Sequence, residues 1–320
     1  MSRASTTLVL LALGVCACAR TSAGPATVDP RAVTPQAAPG FDSARAWAHL
    51  QQMVAVGPRE AGSPALARTR AYITKEITSY GLKVETQTWT ASTPAGPIEM
   101  VNLIVRLPGR RTDRLLITGH YDTKRSKDFR FVGASDGASS GAMLIELARV
   151  LKDQPRELTY ELVWLDGEEA VCWGWYDCEK PGAPDNTYGS RYYVAAAQKD
   201  GSIKTMKAMV LLDMVGDRDL RILRDKNSAP WLNDIVWAAA RRVGHAGTFV
   251  EMGTDVQDDH IPFVKAGVPS IDIIDLDYPA WHTAADTIDA VSARSLQIVG
   301  EVVVAAVPDI EKRIVAGREN

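Results

Sequence analysis

Thr159-Tyr160-Glu161-Leu162-Val163-Trp164-Leu165 runs without a break into Asp166-Gly167-Glu168-Glu169. The first seven residues read as a strand buried on both faces. The next four place carboxylates where that strand ends. The same change of character recurs along the chain. Leu115-Leu116-Ile117-Thr118-Gly119 leads into His120-Tyr121-Asp122, and Met209-Val210-Leu211-Leu212 leads into Asp213. Ile271 to Ile274 is followed, after a loop, by Trp281-His282-Thr283, and Gly133-Ala134-Ser135-Asp136-Gly137 stands directly before a helical stretch. In an open α/β sheet, ligands bind outside the carboxyl ends of the strands.

Between these strands the spacing is helical. Ala44, Trp47, Ala48, Leu50 and Val54 recur on one face until Gly57-Pro58-Arg59 stops the helix. Ser63-Pro64 opens a second helix that runs to about Tyr80 and closes at Gly81. Residues 83–90, 101–107, 114–118, 207–212 and 270–274 read as further strands, and 138–152, 233–243 and 294–307 as helices. Strands alternating with helices of this length predict a single-domain three-layer α/β/α sandwich with a central mixed, mostly parallel sheet, spanning residues 41–315. No internal repeat and no second linker interrupts it.

The amino-terminal part reads differently. Arg3 precedes an apolar run from Leu8 to Ala17, too short to span a bilayer but suited to a signal peptide over residues 1–19. Val15-Cys16-Ala17-Cys18 resembles a lipoprotein box that would lipidate Cys18, while Ala17-Cys18-Ala19 also suits ordinary cleavage. Residues 20–40, rich in Ala, Pro and Thr, read as a linker. Export to the periplasm or cell envelope, or secretion, is the expectation, with the membrane involved only through that anchor. Cys172 and Cys178 are then the cysteines left in the folded part, where an oxidising compartment would let them pair. Free thiols and a metal role are the alternatives. The net charge of -3, with no long charge run, gives nucleic acid nothing to bind.

Each polar residue at a strand end has an ordinary explanation by itself. An Asp before a helix is usually its cap, and a Glu pair after a strand is usually a solvated turn. Gathered in one framework, however, the carboxylates would repel one another and desolvate at a cost. A divalent metal removes that conflict. Catalytic zinc keeps three protein ligands and one open position, a requirement that Asp136, Glu169 and His282 fill. Successive residues leaving a strand point opposite ways, so Glu169 can bind metal while Glu168 faces substrate.

Six ordered motifs resemble the glutaminyl cyclases, which share a fold with co-catalytic zinc aminopeptidases. They are His120-Tyr121-Asp122-Thr123-Lys124, Gly133 to Ser139, Asp166-Gly167-Glu168-Glu169-Ala170, Leu211-Leu212-Asp213-Met214, Asp258-Asp259-His260-Ile261-Pro262-Phe263 and Trp281-His282-Thr283. The resemblance extends from about residue 44 to 307. It implies one zinc ion on Asp136, Glu169 and His282, Glu168 as general acid/base, and Asp213 with Asp258 as a hydrogen-bond network beside it. It also implies Trp281 as a pocket wall and peptide or protein N-termini as substrate. An aminopeptidase would hold a second ion on His120 and Asp213, bridged by Asp136. Two stretches depart from the pattern. Animal cyclases carry a His where this chain has Asp272, and residues 171–187, with Trp173, Trp175 and Tyr176, are long and irregular. That stretch reads equally as a subsite wall or as a loop packed on its own aromatics.

Overall fold

Helix α1 (Ser43–Val56) is capped by Asp42, whose side chain accepts the N–H groups of Ala44 and Arg45, and α2 (Pro64–Ser79) by Ser63 with Pro64 in its first turn. The computed structural model describes residues 40–317. The expected signal peptide, Cys18 and nearly all of the linker lie outside the described residues. Strands β1 (Val84–Thr93) and β2 (Gly96–Leu107) form an antiparallel hairpin. Then come β3 (Arg114–His120), α3 (Ala138–Leu151), β4 (Thr159–Leu165), α4 (Tyr188–Asp200) and β5 (Met206–Asp213). A short parallel pair, β6 (Ile222–Asp225) and β7 (Phe249–Thr254), is joined through α5 (Pro230–Arg242). Helix α6 (His260–Lys265), β8 (Ser270–Ile274) and α7 (Ala293–Ala316) complete the chain.

The main sheet has the order β1-β2-β4-β3-β5-β8. Strand β2 is antiparallel to both neighbours, whereas β4, β3, β5 and β8 pair in parallel. Every residue of β3 is buried, as a parallel strand covered on both faces requires. Alternate residues feed two cores. Leu115, Ile117, Leu162, Trp164, Val210 and Leu212 pack with α1, α3, α5 and α7, while Leu116, Val163, Leu165, Met209 and Leu211 pack with α4 and α6. The expected three-layer sandwich is present.

The structure departs from the sequence reading in several elements, and helices α4 and α6 are among those it adds. Helix α7 does not stop near Val307 but continues through Pro308 to Ala316. Proline removes one hydrogen bond and adds a clash, yet Ile310 is buried in the core and Ile314 and Val315 pack against it, so burial offsets that loss. The unit β6–α5–β7 was legible only in its helix, because β6 has four residues and most of β7 is exposed or half-buried.

Candidate active site

Above the carboxyl edge of the sheet, His282 Nε2 lies 3.3 Å from Asp136 Oδ2 and 3.2 Å from Glu169 Oε1. Ligand atoms of these three residues all fall within 4.8 Å of one another. A second trio shares Asp136: His120 Nε2 is 2.9 Å from Asp213 Oδ1 and 3.2 Å from Asp136 Oδ1. The structure therefore brings together all five residues whose spacing and resemblance pointed to a metal.

Asp136 is held in place from two sides. Asp286 accepts the N–H groups of Ser135 and Asp136 at 2.8 and 3.1 Å, and the Tyr278 hydroxyl at 2.7 Å. From the other side, fully buried Arg59 donates to the carbonyls of Met53, Gly57, Tyr121, Val132 and Gly133. Gly137 has φ 90°, and a Cβ there would stand 2.2 Å from the Asp122 carbonyl oxygen and 3.0 Å from the His120 ring. Only glycine fits. Helix α3 starts without a side-chain cap, which leaves the Asp136 carboxylate outside the capping role that an Asp in this position ordinarily takes.

Glu168 and Glu169 were expected to point opposite ways, but both line one cavity. They leave β4 through a turn at Gly167, φ 69°, rather than along an extended pleat. The Asp122 carboxylate accepts both of their N–H groups, at 3.2 and 3.4 Å, and so fixes that turn. Glu169 faces His282, while Glu168 Oε2 lies 3.7 Å from His120 Nδ1. Behind Glu169, the buried Lys124 ammonium donates to the Ala170 carbonyl at 2.8 Å and stands 3.7 Å from Glu169 Oε2.

The expected hydrogen bond between Asp213 and Asp258 is not formed. Asp213 Oδ1 accepts from His120 Nε2 and, at 2.7 Å, from the Met214 N–H, while Asp258 Oδ2 is buried without a partner. Two carboxylates repel unless one carries a proton, so the imidazole is the better donor. Asp272 is buried beside an imidazole after all. His260 Nδ1 lies 3.5 Å from its Oδ2, and His260 Nε2 lies 3.2 Å from Asp225 Oδ2.

Burial drives the Glu168 carboxyl well above the ordinary range; His120 opposes this, and Asp258, Glu169 and Asp213 add to it. Asp258 rises for the same reasons, burial first and then the charges of Asp213 and Asp259. Asp136 goes the other way. Burial penalises its charge, yet the close His120 and His282 rings, at ion-pair distance, hold it below the usual carboxylate range. Burial also works against the His282 imidazolium, but Glu169 and Asp136 outweigh it and raise the ring to about 10. Asp136 Oδ2 and Glu169 Oε2 are buried without a hydrogen-bond partner. One imidazole and two such carboxylates form a mixed nitrogen and oxygen donor set that a divalent cation satisfies. Such a cation must displace protons to bind there. The non-glycine residues Met214 and His282 have φ of 44° and 50°, so backbone strain sits beside both trios.

The cavity these groups line has a volume of about 370 Å³. Its lining includes the acidic groups Asp136, Glu168, Glu169, Asp213 and Asp258 and the aromatic side chains of Trp173, Trp175, Tyr176 and Trp281. Trp281 is 43% exposed, with its ring centroid 4.6 Å from that of His282. It is a wall residue rather than core. Cys172 and Cys178 form a disulfide, which removes them as metal ligands and free thiols.

Sequence reasoning gave no role to Arg59, Asp122, Lys124 and Asp286. Asp122 and Lys124 stood inside a quoted motif, so their proximity to His120 was a usable signal. Arg59 and Asp286 act through backbone atoms far away in sequence and left none.

A mixed cation site at the strand ends of an α/β/α sandwich is an arrangement of metal-dependent enzymes acting on amide bonds, and the comparisons with known proteins agree. Residues 102–307 match the model of peptidase family M28. The chain is 30% identical over 289 residues to the glutaminyl-peptide cyclotransferase-like protein of Bos taurus, covering 77% of this chain and 70% of that one. The crystal structure of an Acidobacteriales bacterium glutaminyl cyclase superposes with a TM-score of 0.79 at 39% identity, covering 90% of this chain and 100% of that one. A leucine aminopeptidase precursor from Bacteroides thetaiotaomicron follows at TM-score 0.77 and 28% identity, over 84% and 97% of the two chains. The chain belongs to peptidase family M28 and, within it, to the glutaminyl cyclases.

Proposed function

We propose that this protein is a zinc-dependent glutaminyl-peptide cyclotransferase, which converts the N-terminal glutamine of a peptide or protein to pyroglutamate and releases ammonia. The observation that carries the reading is Glu168, a buried carboxyl with a raised proton affinity, in one cavity with Asp136, Glu169 and His282. Those three residues would hold the ion. When bound, zinc supplies Lewis-acid polarisation of the side-chain amide carbonyl.

The remaining work belongs to the chain and the substrate. The substrate's α-amino nitrogen attacks the amide carbon of its own side chain, and the five-membered ring closes as the carbon–nitrogen bond to the departing amide nitrogen breaks. Glu168 takes a proton from the attacking nitrogen and delivers it to the leaving one. Asp258 and Asp213 strengthen Glu168 as an acceptor by crowding negative charge around it. Nucleophile and electrophile sit in one residue, so holding the side chain in a folded pose lowers the barrier. Trp281 walls the space for that side chain.

The test is a glutamine-headed peptide given to the zinc-loaded enzyme while ammonia and free amino acids are followed together. Ammonia with a blocked, full-length peptide is the expected result. One observation favours a second reading: His120, Asp136 and Asp213 also stand within ligand distance of one another. An aminopeptidase would fill that trio with a second ion and would release the N-terminal residue instead. Two zinc ions per chain together with a freed amino acid would establish it. Residues 1–19 further suggest that the protein works outside the cytoplasm, anchored through Cys18 if that residue is lipidated. The Cys172–Cys178 disulfide suits an oxidising compartment.

A further inference from the structure

The loop between Gly167 and α4 presents aromatic side chains to the cavity without burying them. Trp173 is 49% exposed and Tyr176 61%. Among the described residues they make up, with Trp281, half of the exposed large hydrophobics, which are completed by Tyr192, Met252 and Val264, so exposed apolar surface gathers at this one mouth. Such clustering marks a contact surface.

Neither packing of the loop on itself nor regular structure explains how these rings are held. Trp173 meets Phe129 edge-on, with centroids 5.8 Å apart, and its ring lies 6.1 Å from that of His282. Among the described residues no ring contact joins the loop's aromatics to one another. What holds the loop is covalent and polar. The Cys172–Cys178 disulfide closes it, the Cys172 N–H donates to Asp185 at 2.8 Å, and the Gly174 N–H donates to Asp177 at 2.8 Å. Asn186 donates to the Trp175 carbonyl at 3.3 Å. The rings are thus held at the cavity edge before any substrate arrives.

We infer that the disulfide-closed loop, through Trp173, Trp175 and Tyr176, is a specificity element that receives the side chain following the N-terminal glutamine and favours an aromatic one there. The inference rests on the cyclotransferase reading. The acidic floor and Trp281 take the first residue, while Trp173, Trp175 and Tyr176 line the same cavity and Trp173 also borders the neighbouring one lined by Arg125 and Lys127, so the loop offers the next contact surface to a longer peptide. Aromatic rings offer large contact area at small entropic cost, and the disulfide limits the ordering still to be done on binding. The contact forms away from the reacting atoms, so it acts on KM and leaves kcat alone.

The experiment compares the zinc-loaded wild type with the Cys172→Ser/Cys178→Ser double variant on Gln-Phe-amide, Gln-Gly-amide and glutamine amide. In the wild type, kcat/KM for Gln-Phe-amide should exceed that for Gln-Gly-amide at least tenfold, through KM. In the double variant that preference should fall below threefold, with glutamine amide turned over within twofold of wild type. If the double variant does not fold, Trp173→Ala should lose the preference in the same way. A wild type indifferent to the second residue, or a preference that survives in both variants, overturns the inference. Failure of the cyclotransferase reading looks different, because hydrolysis would then free glutamine from these substrates, whereas cyclisation leaves the N-terminus blocked and frees no amino acid. Tryptophan-fluorescence titration of the Glu168→Gln protein still tests the wall in that case. Tighter binding of Gln-Phe-amide supports it, and equal binding of the two amides refutes it.

Discussion

The floor of the cavity and its rim are built from opposite materials. At the floor, Asp136, Glu168 and Glu169 are buried, and residues as far apart as Arg59, Asp122 and Asp286 grip the backbone that carries them. At the rim, Trp173 and Tyr176 stand half in solvent on a loop tied mainly to its own neighbourhood. Buried charge must be placed where a counter-charge will meet it, and an error there carries a large electrostatic cost. Apolar contact is non-directional and tolerates displacement. The chemistry is therefore fixed by the whole fold, whereas selectivity can be altered by changing one loop.

The sharpest way to break this contrast is at Glu168. Glu168→Gln should lower kcat by about 10³-fold, the usual scale of acid–base assistance, with zinc content by metal analysis unchanged. Retained turnover would remove Glu168 from the mechanism.

The next largest effect is expected at Arg59. Arg59→Met leaves buried carbonyls without their donor and should destabilise the protein by about 3 kcal/mol in urea unfolding. Zinc affinity should weaken at least tenfold, because the Gly133–Gly137 loop loses one of its two grips. Stability lost with affinity intact would show that Asp286 suffices.

A third test uses pH. Burial raises Asp166 and Asp259 to about 7 and Asp286 to about 6. Their folded values lie above the unfolded value near 4, so the folded state binds more protons between those limits. The favourable contribution is fully present below pH of about 4 and is lost as pH rises through 6 to 7. His49, lowered by burial, pulls the other way but is one group against several. The metal-free protein should melt at progressively lower temperature from about pH 4.5 to 7.5. A rising melting temperature over that range would contradict the buried-acid description of the floor.

The smallest effect belongs to the rim. Tyr176→Ser should leave stability within about 0.5 kcal/mol of wild type, as exposed substitutions generally do. A larger loss would mean that the rim is part of the fold's support after all.

The same division decided what could be read in advance. Strands that end in carboxylates announce themselves, because a run such as Val163-Trp164-Leu165 before Asp166-Gly167-Glu168-Glu169 combines two physically incompatible environments. The cap at Ser63, followed by Pro64, was an equally local signal, and Asp42 offered one that went unread. Arg59 was not legible, since its partners are backbone carbonyls from residue 53 to residue 133, and carbonyls carry no residue identity. The missing Asp213–Asp258 bond was illegible for a related reason. Which donor a carboxylate chooses depends on where His120 lies in space. The turn that sends Glu168 and Glu169 into one cavity depends likewise on Asp122, reached across 46 residues of chain.

Arg59 and Asp286 hold the same short loop, yet 227 residues of sequence separate them, from one end of the folded region to the other. During synthesis the first grip is made early and the second only when nearly the whole chain has emerged. A partly made or C-terminally clipped protein can therefore carry Asp136 and Glu169 and still have no place to put an ion. If the site takes zinc as proposed, loaded metal would report that synthesis has passed Asp286.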